Sequence, residues 1–304
     1  MAAAGTGSEG RLQQQAEQLA GTLPPLLAKA ERVASTVAQG VHGRRRVGTG
    51  ETFWQFRRYQ TGDAAQSIDW RQSAKSQKLF VREHEWEAAQ SVWLWRDGSA
   101  SMRYRSEPTL SEKQERASLL LLALASLLVR GGERVALLGV GERPITGRIA
   151  VRRLAEHLAG QERDTAAELP SLPEIERLPR FSHVVLISDF LSPLSALEEA
   201  VMAFAGAGIE GHLLQILDPA EEDLPFRGRT RFEGLEDEGG VTVGRVESLQ
   251  AAYRSEIASR REALTRITRR VGWTATSHRT DRPPQTALLA LYRAIADDLA
   301  MTAW

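Results

Sequence analysis

From residue 91 onward, short apolar runs alternate with longer segments whose apolar residues recur at helical spacing. The short runs predict strands at 91–95, 134–140, 183–188, 209–217, 241–246 and 273–278. The longer segments predict helices at 111–130, 149–159, 194–207, 248–271 and 285–300. Because fully apolar strands alternate with helices, the pattern predicts an α/β domain over residues 91–304, with a mostly parallel sheet and helices on both of its faces.

The longest apolar run lies at 117–129 and contains Ser118 and Ser126. It is shorter than the about 20 residues that cross a bilayer, so it predicts a buried helix of the α/β core. The first ten residues, MAAAGTGSEG, lack the apolar core of a signal peptide. We therefore expect no transmembrane segment and a cytoplasmic location.

Residues 1–40 are expected to form a polar tail and an amphipathic helix that is interrupted near Pro24 and Pro25. The polar face of this helix is not rich in lysine, so the apolar face is expected to dock on its own protein rather than on a membrane. The apolar positions are Leu19, Leu23, Leu26, Leu27, Ala30, Val33, Ala34 and Val37.

Residues 41–90 form a separate region, in which the part at 41–82 has nine Lys or Arg against three Asp or Glu. One interpretation is a nucleic-acid surface with bases stacked on its aromatic residues. The other is a small β-rich subdomain in which the aromatics pack together and arginines pair with acids. The residues concerned are Trp54, Phe56, Tyr59, Trp70, Arg57, Arg58, Asp63 and Asp69. Acids inside the basic run would repel phosphate, so we expect the subdomain and no specific DNA or RNA binding.

The charges of the whole chain balance, with 39 Lys and Arg against 39 Asp and Glu in 304 residues. A protein that binds nucleic acid through its overall charge would be basic, and this chain is not. The sequence also contains no cysteine. This excludes a disulfide scaffold, a thiol nucleophile, a cysteine zinc site and an iron–sulfur cluster.

Hydroxyl and carboxylate groups follow two of the predicted strands. Asp97, Ser99 and Ser101 come after the first strand of the α/β domain, and Asp189 follows the third. Side chains at positions i, i+2 and i+4 of a turning loop can converge, and ligands bind beyond the carboxyl ends of parallel strands. These hard oxygens suit Mg²⁺ or Mn²⁺, and Thr165 is the candidate for a further ligand from a neighbouring loop. Alternatively, the aspartate and the serines only cap the turn after the strand.

The Asp97-x-Ser99-x-Ser101 pattern after an apolar strand resembles the metal-ion-dependent adhesion site of von Willebrand factor A domains. The segment GTGETFWQFRRYQTGDAAQSIDWRQSAKSQKLFVRE at 48–83 resembles the signature of the domain-of-unknown-function 58 (DUF58) family. The residues that carry this second resemblance are Arg57, Tyr59, Gly62, Asp63, Ile68, Asp69, Trp70, Val81 and Arg82. Segments at 186–191, 272–273 and 287–295 fit the same family, and Gln66 stands where the family often has arginine.

The resemblance implies an α/β domain in the von Willebrand A style that works as an adaptor or chaperone-like partner of a MoxR-type AAA+ ATPase. It implies no enzymatic activity. A metal held at the adhesion-type site would keep a coordination position open, which an acidic side chain of the partner can fill. Two alternatives stay open: a metal-dependent phosphohydrolase that uses Asp97 and Asp189, and a nucleic-acid binder that uses residues 41–82.

A long acidic loop is predicted at 218–240, after the fourth strand of the α/β domain. It exceeds the usual connection of about 2–6 residues, and long loops are often functional. It leaves the sheet at the edge where the metal is expected, so Phe226 and Arg227 are expected to contact the partner. The alternative is a solvated acidic insertion without a binding role.

Overall fold

A computed structural model describes residues 26, 29–38, 53–58, 70–75, 78–84, 89–163, 169–236 and 239–302. Its strands are β1 (Phe53–Arg58), β2 (Phe80–His84), β3 (Ser91–Arg96), β4 (Arg134–Leu137), β5 (His183–Ser188), β6 (Glu210–Leu217), β7 (Thr230–Glu233), β8 (Gly240–Val243) and β9 (Thr274–Arg279). Its helices are α1 (29–38), α2 (Trp70–Ser73), α3 (Lys113–Arg130), α4 (Arg148–Arg163), α5 (Leu194–Gly206), α6 (Pro219–Asp223), α7 (Gln250–Arg270) and α8 (Pro284–Thr302).

The central sheet confirms the predicted α/β architecture. Among the described residues it has five strands in the order β4-β3-β5-β6-β9, and every neighbouring pair is parallel. The chain moves from β3 outward to β4 and then returns to β5 on the other side of β3. The strand order therefore reverses between β3 and β5, which is where open parallel sheets place their ligands.

Helices cover the sheet on both faces, because side chains of each strand alternate between two apolar cores. On one face, Val92 and Leu94 of β3 pack with buried residues of α1, α3, α4 and α8. On the other, Trp93 and Trp95 of the same strand pack with buried residues of α5 and α7. The apolar run at 117–129 lies in α3, whose side chains from Leu120 to Leu128 are all buried. Within the described residues, no helix is both long and apolar enough to cross a membrane.

Helix α1 docks on the protein itself, as its apolar stripe predicts. Ala30, Val33, Ala34 and Val37 are buried in the core that includes α3. The carboxylate of Glu31 accepts a hydrogen bond of 2.7 Å from Ser126 of α3. The predicted start of this helix, including the interruption near Pro24 and Pro25, lies outside the described residues.

The region at 41–90 contains an antiparallel pair, β1 with β2, and the short helix α2. One prediction for this region is wrong: Trp70 does not pack in an aromatic cluster, since it is 65% exposed at the start of α2. The side chains predicted to pack or pair with it, from Trp54 to Asp69, lie outside the described part of the structure.

The segment at 218–240 is more ordered than the predicted loop. It begins with α6, continues through β7 and turns back into β8, which pairs antiparallel with β7. The predicted strand at 241–246 is therefore shorter and belongs to this hairpin rather than to the central sheet. The residues of β8 are mostly exposed, as Val241 is. The apolar residues at 241–243 therefore do not contribute to the core, and the run does not form a strand of the central sheet.

Candidate cation site at the reversal point of the sheet

Asp97 and Asp189 lie side by side at the carboxyl ends of two adjacent strands. Asp97 directly follows β3, and its backbone N–H extends the strand pairing by donating to the carbonyl of Ile187 over 2.9 Å. Asp189 directly follows β5, where the chain turns sharply because Phe190 adopts a φ of 50°. A non-glycine residue in this region costs energy and is often found at functional sites. Both aspartates therefore lie at the point where the strand order reverses.

The predicted hydroxyl and carboxylate groups converge in the structure. The hydroxyl oxygens of Ser99 and Ser101 are 3.1 Å apart, and the Ser101 hydroxyl donates to Oδ2 of Asp189 over 2.9 Å. Asp97 lies behind them: its Oδ1 accepts the N–H of Ser99 at 2.8 Å, and its Oδ2 accepts the hydroxyl of Ser188 at 2.6 Å. Thr165, the remaining predicted ligand, lies outside the described residues.

Burial dominates the electrostatics of Asp97. Burial raises the pKa of its carboxyl group to about 6, hydrogen bonds from Ser188 and Ser99 lower that pKa in part, and the nearby Asp189 raises it. A carboxylate in this setting is stabilised by a nearby cation. A fully buried cation at the site forms its ion pair with Asp189 instead.

That cation is the ammonium group of Lys113, the first residue of α3, which sequence reasoning missed. Its Nζ donates to Oδ2 of Asp189 over 2.8 Å and to Oε1 of Glu221 over 2.5 Å, and the side chain is fully buried. Burial alone would lower the pKa of Lys113, but the two carboxylates outweigh it and hold that pKa above its ordinary value. Lys113 is therefore charged, and it links the strand end to α6.

Two features of the sequence fit this contact, although neither predicts it without the fold. A lysine at the start of a helix opposes the helix dipole, so a buried one requires compensating carboxylates. Asp218 and Glu221 are spaced as a capping box. In the structure the Asp218 side chain accepts the N–H of Ala220, and the Glu221 side chain accepts the N–H of Asp218. This capping holds the Glu221 carboxylate beside Lys113.

A cavity of about 390 Å³ opens beside the site. Ser101 and Asp189 line one end, and α6 and the β7–β8 hairpin supply further walls. The apolar lining includes Leu191, Pro193, Leu224, Phe226, Phe232 and Leu235. Phe226 packs edge-to-face on Phe232, with 5.6 Å between ring centroids. Of the two predicted partner contacts, Phe226 lines this cavity, whereas Arg227 is exposed outside the lining.

The site offers a hard divalent ion the carboxylate of Asp189 and the hydroxyls of Ser99 and Ser101, with Asp97 behind them. Adjacent ligands of Mg²⁺ with bonds of about 2.1 Å lie about 3.0 Å apart in an octahedron. The spacings from Ser99 to Ser101 and from Ser101 to Asp189, 3.1 and 2.9 Å, match this value. Across the described residues, no group of three or more His, Cys, Asp or Glu is arranged to hold a metal, so the hydroxyls are needed to complete a set.

A family model described as "Protein of unknown function DUF58" matches residues 55–263. The chain belongs to the DUF58 family. This match spans the β1–β2 pair, the whole candidate site and most of α7. It thereby confirms the family resemblance of the signature at 48–83, and it places all the described site residues inside the DUF58 region.

Similar proteins include "Uncharacterized protein Rv1480" of Mycobacterium tuberculosis and "Uncharacterized protein Mb1516" of Mycobacterium bovis. Each is 28% identical over 283 residues, which cover 87% of this chain and 86% of the relative. Among solved structures, BatB from Bacteroides thetaiotaomicron covers 69% of this chain and 98% of its own, with 16% identity and a TM-score of 0.38. An aerotolerance-related membrane protein from Bacteroides fragilis covers 69% and 100%, with 15% identity and a TM-score of 0.40.

Proposed function

We propose that this DUF58 protein is a non-enzymatic interaction module whose Mg²⁺-dependent site binds a protein partner. The observation that carries the proposal is the row of oxygens from Ser99 through Ser101 to Asp189, in which the spacings of 3.1 and 2.9 Å suit adjacent ligands of one octahedral ion. Asp97 would hold the set from behind through Ser99. A bound ion would supply an open coordination position for an acidic side chain of the partner. The resemblance to the DUF58 family supports a MoxR-type AAA+ ATPase as that partner.

Charge balance supports a divalent ion in this place. Asp97, Asp189 and Glu221 are joined through Ser99, Ser101 and Lys113 in one hydrogen-bonded network. The network holds three carboxylates against one ammonium group, and the guanidinium groups of Arg96 and Arg260 act on Asp97 and Asp189 from outside it. Excess negative charge in a buried site is costly unless it is paired, and a divalent ion would reduce it.

The phosphohydrolase alternative gains no support from the same groups. Such an enzyme requires a side-chain cation that reaches the phosphate, and the cations described near Asp189 are already engaged. The ammonium group of Lys113 is fully buried and bound to two carboxylates, and the guanidinium group of Arg260 donates to the carbonyls of Phe190 and Ser192. Both oxygens of Asp97 are likewise engaged, with Ser188 and with the N–H of Ser99, so this carboxylate is not positioned as a nucleophile.

The metal proposal is tested by replacing one hydroxyl ligand. We expect Ser101→Ala to weaken Mn²⁺ or Mg²⁺ binding by about tenfold or more, because the oxygen between Ser99 and Asp189 is lost while the fold keeps its core. Calorimetric titration measures the affinity. Ser192→Ala is the matched control, since its hydroxyl lines the same cavity but donates to Ser171. Equal metal affinity in the two variants would contradict the proposal.

The role of Asp97 is tested with asparagine rather than with alanine. Asp97→Ala leaves the buried hydroxyl of Ser188 and the N–H of Ser99 without their acceptor, which costs about 1–3 kcal/mol for each group. Asp97→Ala is therefore expected to lower the stability of the fold as well as to remove the carboxylate. Asp97→Asn keeps the acceptor oxygen for one of these donors and removes the charge. We expect it to abolish metal binding in the same titration, and unchanged affinity would exclude Asp97 from the site.

The partner proposal is tested at the cavity. We expect Phe226→Ala to weaken binding of a purified MoxR-type AAA+ ATPase by about tenfold or more, since aromatic residues in interface pockets carry much of the binding energy. Binding is measured with Mg²⁺ and with EDTA, and both the chelator and the variant should reduce it. Phe181→Ala is the control, because this exposed phenylalanine precedes β5 at the opposite edge of the sheet. Full binding by Phe226→Ala, or in EDTA, would contradict the proposal.

A further inference from the structure

Lys113 and the proposed metal require the same oxygen of Asp189. Oδ2 of this carboxylate already accepts two hydrogen bonds, from the Ser101 hydroxyl at 2.9 Å and from Lys113 Nζ at 2.8 Å. Oδ1 accepts the N–H of Leu191 at 3.0 Å. A carboxylate oxygen has about two lone-pair directions. A cation that binds Oδ2 must therefore displace one of its present donors.

The two donors differ in how they respond to an arriving ion. The Ser101 hydroxyl can rotate its hydrogen away and present a lone pair, so it changes from donor to ligand without moving its oxygen. The Lys113 ammonium has no lone pair and carries the same sign of charge as the ion. At about 4 Å in a partly buried site, the repulsion between such charges is large. The ammonium, rather than the hydroxyl, is the group that must leave Asp189.

We propose that Lys113 is a tethered cation that occupies Asp189 in the absence of a divalent ion and competes with that ion for the carboxylate. This inference rests on the metal site of the proposed function. It assigns Lys113 as the residue that sets the metal affinity, in the direction of weakening it. When the ion binds, Glu221 retains the ammonium, because its Oε1 is already the closer of the two carboxylate contacts at 2.5 Å.

The competition also connects the ion to the cavity. Glu221 lies in α6, its Oε2 accepts the N–H of Asp218 at 2.9 Å, and its carbonyl accepts the Tyr253 hydroxyl at 2.7 Å. Glu221 and Tyr253 both line the cavity beside the site. A shift of the Lys113 ammonium group from Asp189 toward Glu221 would therefore change the contacts of a residue that lines the cavity, where a partner would bind.

The test measures Mn²⁺ affinity by calorimetry, at one pH and ionic strength, for the full chain and two variants. Lys113→Met removes the competing cation, and we expect it to bind Mn²⁺ about tenfold or more tightly than the wild type. The double variant Lys113→Met/Glu221→Gln loses one charge of each sign, so the site keeps its net charge, and it should also bind more tightly. The double variant provides the test if Lys113→Met alone, which leaves two carboxylates unpaired, fails to fold. Lys29→Met is the control, because it removes a charge from an exposed lysine of α1.

The outcomes separate this inference from the proposed function. Tighter binding in both Lys113 variants supports the competition. Tight binding in the variants with none in the wild type also supports it, and shows that Lys113 has replaced the metal, which contradicts metal-dependent function. Unchanged or weaker binding in the folded variants overturns the competition while the wild-type site stands. If neither the wild type nor any variant binds Mn²⁺, both the competition and the proposed metal site are overturned.

Discussion

Replacing Gly211 by alanine is expected to lower the free energy of unfolding by about 3 kcal/mol, the upper part of the range for overpacked cores. A Cβ atom at this position of β6 would lie 2.4 Å from the ring of Trp273. The ring cannot move away freely, because it is 3% exposed and its Nε1 donates to the carbonyl of Ile209 over 3.0 Å. Either the ring leaves its site or β6 separates from its neighbours.

Gly160→Ala is the matched control for this experiment. Gly160 lies on the exposed side of α4, and no atom lies within 4 Å of a Cβ built there. Alanine is favoured over glycine in a helix, so this variant should gain about 0.5–1 kcal/mol. Urea denaturation of the two variants measures both effects. If Gly211→Ala unfolds at the wild-type urea concentration, the close approach of the two elements is not needed for stability.

The order of elements could be predicted from the sequence because periodicity reports local structure. The apolar run before Asp97 and the run before Asp189 became β3 and β5, close to their predicted bounds. Their convergence followed from a general rule for parallel sheets. The reversal between β3 and β5 depends on strand order, which no pattern within a single strand records.

The cation beside Asp189 could not be predicted in the same way. Lys113 and Glu221 are 108 positions apart, and only the packing of α3 against the strand ends brings them together. A charged residue before a long apolar run is typical of the start of a helix. The pattern around Lys113 therefore predicted the helix and gave no reason to expect an ion pair inside the protein. Similarly, Trp70 is exposed although its aromatic neighbours in sequence favoured burial, because composition does not determine which side of a short helix faces the protein.

Two buried histidines near the amino ends of β5 and β6 are expected to make the protein less stable in acid. His183 begins β5 and His212 lies in the neighbouring β6, with their rings stacked 6.3 Å apart. Burial lowers the pKa of His183 to about 4. Burial, together with the nearby His183, lowers the pKa of His212 to about 3. Glu210 and Asp298 lie 3.6 and 3.4 Å from these rings without a hydrogen bond to them, so burial outweighs their attraction.

The sign of the effect follows from proton binding in the two states. Above about pH 6.5 both histidines are neutral whether the chain is folded or not, and their contribution to stability is fully present. Below that pH the unfolded chain binds protons that the folded chain excludes, so stability falls until the pH reaches the folded pKa values. At pH 5 each histidine should have lost about 2 kcal/mol, or about 4 kcal/mol for the pair. Asp97 acts in the opposite direction, because burial raises its pKa to about 6 and its protonation then favours the folded state.

His183→Phe isolates the histidine contribution from the opposing carboxyl groups. Neither ring nitrogen of His183 has a hydrogen-bond partner among the described residues, so a phenyl ring leaves no group there unpaired. At pH 7 we expect the variant to be about as stable as the wild type. Between pH 7 and pH 5 it should lose about 2 kcal/mol less, measured by urea denaturation at both values. If the variant and the wild type lose the same amount, protonation of His183 does not drive the acid sensitivity, and the neutral buried ring is not the reason that the sheet weakens in acid.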